Sequence, residues 1–140
     1  MPVPMSTAEI DAFLAEPRVA VISTVDAGGR PRSAPIWFHW ADGAAYLFTG
    51  RRTLKWRNIE RARYATLCVD HREPPYAAVI LEGPVEPSDR PLYDLVLAMA
   101  VAYYGEERGR EFAEGYRDHP GAVAFKIVPR RVVSWDYREG

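Results

Sequence analysis

Between Arg51 and Arg63 the chain carries six cations, Arg51, Arg52, Lys55, Arg57, Arg61 and Arg63, against the single anion Glu60. That is a local balance of +5 in a chain whose formal total is −1, so the basicity is concentrated rather than general. The segment follows a short apolar run, Tyr46-Leu47-Phe48-Thr49, that breaks at Gly50, the pattern of a strand giving way to a helix. Such a helix start exposes backbone N–H groups without intrahelical acceptors, and with nearby cations these make an anion site suited above all to phosphate. Thr53 is placed to cap the helix or to donate its hydroxyl, and Lys55 to supply charge. The other reading of the same residues is a solvated basic helix face whose arginines pair with acids elsewhere.

Other chemistry is thinly represented. Cys68 is the sole cysteine, which excludes an intramolecular disulfide and a cysteine-built metal site, and its alternating apolar surroundings (Ala65, Leu67, Val69) mark it as a small core residue. His39, His71 and His119 are far apart, with no HxH or HExxH spacing, so no metal site is expected. No nucleophile–base pair or carboxylate dyad stands out, and no catalytic side chain is assigned. Neither GxGxxG nor GxxxxGK[ST] occurs, so Gly28, Gly29 and Gly50 read as turn residues. A near-neutral chain with a pI of about 6.3 and no aromatic RNP-like pattern argues against a nucleic-acid partner.

The elements that must position the basic segment follow from pattern. With 140 residues, 48% of them apolar and 26% charged, the chain has the composition of one ordinary globular domain. No apolar run approaches the roughly 20 residues of a membrane helix, and Met1-Pro2-Val3-Pro4-Met5 lacks the regions of a signal peptide. A cytoplasmic protein without a membrane partner is expected. Ser6-Thr7-Ala8-Glu9 is a capping box that opens a helix with Ile10, Phe13 and Leu14 on one stripe, ended by Pro17. Strands are expected over Arg18 to Val25 and Pro31 to Trp40, with Asp26-Ala27-Gly28-Gly29 as the hairpin between them. Pro35 marks a sheet edge or a break in pairing.

Asp42-Gly43 returns the chain into a third strand, Ala44 to Thr49, and three antiparallel strands in succession suggest a meander. A short helix from Thr53 to about Ala62 separates this from strands over Tyr64 to Asp70 and Tyr76 to Val85, with Gly83-Pro84 as a bulge or kink. Ser88 or Asp89 is the expected cap of a densely apolar helix that carries Pro91 in its first turn. A less apolar helix from Glu106 to Tyr116 and final strands at Ala122 to Val128 and Val132 to Tyr137 complete the chain. Hairpins with inserted helices, rather than βαβ units, predict a mainly β (α+β) fold built on an antiparallel barrel.

Gly29-Arg30-Pro31 followed by Pro35-Ile36-Trp37-Phe38, then Phe48-Thr49 with Thr53-x-Lys55, then Val79-Ile80-Leu81-Glu82-Gly83-Pro84-Val85 resembles the pyridoxamine 5′-phosphate oxidase-like split-barrel superfamily. The resemblance is greatest to its small branch of flavin- and deazaflavin-dependent oxidoreductases, and spans about residues 6 to 137. It implies an antiparallel split β-barrel with peripheral helices, assembled as a homodimer with cofactor sites at the subunit interface. It further implies that Thr53 and Lys55 hold the cofactor phosphate and that the backbone of Pro35, Ile36 and Trp37 borders the ring. Thr49, Arg51 and Arg52 join the expected cofactor-binding set, and Arg51, Arg52 and Arg57 could serve an anionic tail. The implied cofactor is FMN or the deazaflavin coenzyme F-420, exchanging hydride with a small conjugated substrate. A non-catalytic flavin- or haem-binding carrier or sensor is the alternative. Leu54 stands where an arginine is expected, Ala78 where a glutamine is, and the C-terminal arginine-bearing segment is not found, so true pyridoxamine-phosphate oxidase activity is not expected.

Overall fold

In the computed structural model, which describes residues 2–138, the elements run α1 (Thr7–Ala15), β1 (Ala20–Val25), β2 (Pro31–Ile36), β3 (His39–Ala41), β4 (Ala44–Gly50), α2 (Leu54–Ala62), β5 (Tyr64–His71), β6 (Ala77–Pro87), α3 (Leu92–Tyr104), α4 (Glu106–Glu114), β7 (Ala122–Ile127) and β8 (Arg131–Asp136). The strands pair in the order β2-β1-β5-β6-β7-β4-β3, with β8 also on β6. Every one of these pairings is antiparallel. The result is a curled sheet of the split-barrel type.

The long strand β6 makes the curl. Along one edge it pairs with β5, and along the other first with β8 (Ala77 to Glu82) and then with β7 (Val85 to Pro87). The changeover falls at Gly83-Pro84, as the sequence suggests. There the Val128 N–H donates to the Pro84 carbonyl (3.0 Å) and the Arg130 N–H to the Glu82 carbonyl (2.8 Å). The crossing chain comes so close that a Cβ at Gly83 would lie 2.0 Å from the Val128 carbonyl oxygen. Inward-facing Ile22, Leu67, Val79, Leu81, Leu47, Phe125 and Ile127 fill the interior, following the period-2 alternation of half-buried strands. Cys68 faces the other way and is half-buried.

The expected three-strand meander does not form. Pro31 to Trp40 is divided: β2 stops at Ile36, and β3 pairs with β4 but not with β2, so these two strands lie at opposite ends of the pairing order. Pro35 has no N–H to offer a further neighbour, and Phe38, 5% exposed, turns into the core. The seam of the barrel is thus crossed by a single covalent step, Trp37-Phe38. The β3–β4 hairpin does form on Asp42-Gly43, both at positive φ (52° and 71°), the conformation a tight two-residue hairpin demands.

The capping box of α1 is complete: Ser6 Oγ accepts from the Glu9 N–H (3.2 Å) and the Glu9 carboxylate accepts from the Ser6 N–H (2.9 Å). Ser6→Ala is expected to lower stability by about 1 kcal/mol, measured by urea unfolding. Neither Ser88 nor Asp89 caps α3, whose N-cap is Pro91 without a side-chain bond. Ser88 Oγ instead accepts from the Arg90 N–H (2.9 Å), and Asp89 accepts from the hydroxyl of Tyr46 (2.7 Å). Tyr46 is 2% exposed, and a buried hydroxyl without a partner would cost more than an uncapped helix start. α3 lies against α4, which with β4, β7 and β3 covers the apolar face carrying Leu95, Val96, Met99 and Ala100.

Candidate functional site: a cleft at the seam

β4 ends at Gly50 and the chain turns within three residues into α2. The Thr53 hydroxyl donates to the Gly50 carbonyl (2.8 Å) and accepts from the Trp56 N–H (3.2 Å). Thr53 therefore caps α2, and its hydroxyl proton goes to the Gly50 carbonyl. The N–H groups of Leu54 and Lys55 have no acceptor among the described residues, as the first turn of a helix dictates. α2 is held down by buried Asn58, whose side-chain amide donates to Thr24 Oγ1 (3.1 Å), and by Arg61, which donates to the Val25 carbonyl.

Lys55 is half-buried, and burial alone pushes its pKa below the ordinary lysine value. No described residue forms an ion pair with it. The neighbouring arginines behave differently. Arg51 donates through its backbone N–H to the Gly121 carbonyl (2.8 Å) and through Nε to the Pro120 carbonyl (3.1 Å). It straps the loop before β7 onto the end of β4. Arg52 and Arg57 are exposed.

In front of this helix start lies a cleft of about 450 Å³. Of the sequence-predicted site residues, Pro35, Ile36, Trp37, Thr49, Thr53 and Lys55 line it together, whereas Arg51 and Arg52 do not. A second lobe of about 440 Å³ shares Thr53 and Lys55 and continues along the exposed face of β2 past Ser33 and Arg32. Lys55 thus stands where the two lobes meet.

The far wall is one the sequence reading missed: Phe112 from α4, then Tyr116 and His119 from the loop that follows. These form a chain of rings with Trp37, which stacks on Tyr103 (4.8 Å, 4°) and meets Phe112 at 5.3 Å, while Phe48 meets Tyr116 at 5.2 Å. Trp37 is therefore the post on which the α3–α4 pair rests, not a residue of the barrel interior. The signal present in sequence was the closeness of Phe112 and Tyr116, although α4 ends at Glu114, short of the expected Tyr116, which lies in the turn beyond it.

The family model described as pyridoxamine 5′-phosphate oxidase matches residues 6–136. The chain belongs to that family. Among solved structures it is similar to a conserved hypothetical protein of Mycobacterium tuberculosis, at 25% identity over 96% of this chain and 86% of that one, with a TM-score of 0.82. It is also similar to HutZ, the haem storage protein of Vibrio cholerae (19% identity, 91% and 94% covered, TM-score 0.70), and to an F-420 reductase (21% identity, 87% and 94% covered, TM-score 0.61). The latter two likenesses are of fold. No curated protein sequence matches the chain. No helix among the described residues is long and apolar enough to cross a membrane.

Proposed function

We propose that the seam cleft binds a flavin-type cofactor, FMN or the deazaflavin F-420, and that the protein is an oxidoreductase passing hydride to or from a small conjugated substrate. The observation that carries this reading is Lys55, a half-buried ammonium without a partner among the described residues, beside two N–H groups equally unpartnered there. A desolvated cation is costly unless it meets an anion, and a phosphate satisfies the ammonium and the helix start at once. The cleft volume lies within the usual range of about 300–1,000 Å³ for small-molecule sites, and its apolar lining suits a planar ring. When bound, such a cofactor supplies the hydride chemistry itself.

The chain's own residues then have distinct tasks. Lys55 and the α2 N-terminus hold the phosphate, the Pro35 to Trp37 edge borders the ring, and the Phe112 and Tyr116 rings exclude water from the opposite side. The protein acts as a homodimer in this reading. Support for that comes from β8 and its surroundings, where Val132 (43%), Tyr76 (53%) and Tyr137 (50%) are exposed, the kind of apolar surface that a second copy covers. α3 packs its apolar face on α4, β4, β7 and β3 instead.

A haem carrier on the same barrel is favoured by one observation, the presence of His119 in the cleft wall. Absorbance spectra of the purified protein titrated separately with FMN, F-420 and haemin decide between them. The oxidoreductase reading expects saturable binding of FMN or F-420, followed by reoxidation of the reduced complex by an electron acceptor. Binding of haemin alone, with a Soret band and no flavin uptake, contradicts it.

A further inference from the structure

We infer that His119 selects the substrate: it donates a hydrogen bond from Nε2–H to an oxygen of a planar conjugated molecule stacked under the aromatic wall. The inference rests on the oxidoreductase reading and adds to it a recognition residue and a chemical class. Three features of the loop lead to it. First, His119 lines the cleft and its ring stacks on Tyr116 (5.2 Å, 20°), continuing the row of rings formed with Phe112 and Phe48.

Second, His119 Nδ1 accepts a hydrogen bond from the Gly121 N–H at 3.0 Å. In an imidazole the bond made by one nitrogen sets the state of the other. With the Nδ1 lone pair occupied, the ring proton belongs on Nε2, and no described residue accepts from it. The ring therefore presents its donor at Nε2. Third, the placement is enforced from both sides. A Cβ at position 121 would lie 2.9 Å from His119 Cε1, so glycine leaves the ring its place, and the Arg51 contacts to the carbonyls of Pro120 and Gly121 pin the loop to β4. The guanidinium that the sequence offered as a cofactor ligand here orients a donor.

An oriented N–H donor beside stacked rings recognises a flat molecule that carries a carbonyl or nitro oxygen. A reduced flavin-type cofactor held by Lys55 and the α2 N-terminus would supply hydride to the carbon conjugated with that oxygen. The displaced electron pair collects on the oxygen, where the Nε2–H bond strengthens, and water supplies the proton that completes the reduction.

The test uses two near-isosteric probes, acetylnaphthalene and isopropenylnaphthalene, in which a methylene replaces the oxygen. Each is titrated calorimetrically into wild type and His119→Phe, without cofactor and with FMN or F-420 at saturation. Phenylalanine keeps the stacking surface and removes the donor. The ratio of ketone to alkene affinity should be about three- to tenfold higher in wild type than in His119→Phe, the worth of one hydrogen bond, because comparing the two proteins cancels the ketone's greater cost of leaving water. The same ketone-to-alkene ratio in wild type and His119→Phe overturns the inference. The cofactor titrations answer separately for the oxidoreductase reading, since the probe preference is measured in the cofactor-free protein as well.

Discussion

Lys55→Ala is expected to bind FMN or F-420 about ten- to a hundredfold more weakly than wild type, the equivalent of the roughly 1.5–3 kcal/mol typical of hydrogen bonds to charged groups. Its fold should be as stable as the wild type or more so. The sign follows from the direction of the lysine's pKa, which burial holds below its ordinary value of 10.5. The unfolded chain then binds the proton more tightly than the folded one. Lys55 accordingly penalises the cofactor-free fold below its folded pKa, and the penalty disappears as pH rises past 10.5. Replacing it removes that penalty at neutral pH. An ordinary surface or core lysine behaves otherwise: the former leaves affinity unchanged, and the latter lowers both affinity and stability.

The ammonium also leaves a pH signature. Cofactor affinity in wild type should fall as the ammonium of Lys55 loses its proton at alkaline pH, and Lys55→Ala should lack that limb. Thr53→Ala separates the cap from the charge. Its hydroxyl is already engaged with the Gly50 carbonyl and the Trp56 N–H, so its loss should cost about 1 kcal/mol of stability and less affinity than the loss of Lys55. Isothermal titration and urea unfolding on the two variants make the comparison.

Gly109→Ala is expected to destabilise the protein and to loosen the aromatic wall. Gly109 is buried where α4 crosses α3, and an added Cβ would lie 2.5 Å from the Val101 nitrogen and 2.6 Å from the Ala100 carbonyl carbon. Both are backbone atoms that cannot swing aside. Alanine in a helix is favoured over glycine by about 1 kcal/mol, but overpacking of this kind costs typically 1–3 kcal/mol and occasionally more. The helices must part, and overlap with two backbone groups outweighs propensity. We expect a net loss of about 1–2 kcal/mol and a melting point lower by several degrees. Because α4 carries Phe112 into the cleft, cofactor affinity should fall with it. A melting point at or above that of wild type contradicts the close helix crossing.

What could be read in advance was local. The capping box at Ser6, the hairpin at Asp42-Gly43 and the turn from Gly50 into the Thr53 cap each depend on residues within one or two turns of chain, and each is found in place. The kink at Gly83-Pro84 was equally visible, although its cause, the approach of Val128, was not. The break after Ile36 escaped because a strand's partner is chosen by the whole sheet: one apolar run from Pro31 to Trp40 supplies two strands at opposite ends of the pairing order.

The basic segment shows the same limit. Counting charges treats Arg51, Lys55 and Arg61 alike, yet Arg51 and Arg61 donate to carbonyls at Pro120 and Val25, distant in sequence, and Lys55 alone of the three lines the cleft. The role of His119 was hidden for a related reason. Nothing in the run Asp118-His119-Pro120-Gly121 tells that Arg51 will fasten it beside Phe48 and Tyr116.

The most direct test of the cleft as a flavin-type site is native mass spectrometry of wild type and Lys55→Ala, each offered FMN and F-420 together at equal concentration. The account predicts that wild type takes up one of the two cofactors per chain and that Lys55→Ala, at the same concentrations, remains largely free. Wild type that takes up neither, or a Lys55→Ala protein as fully loaded as wild type, would contradict it.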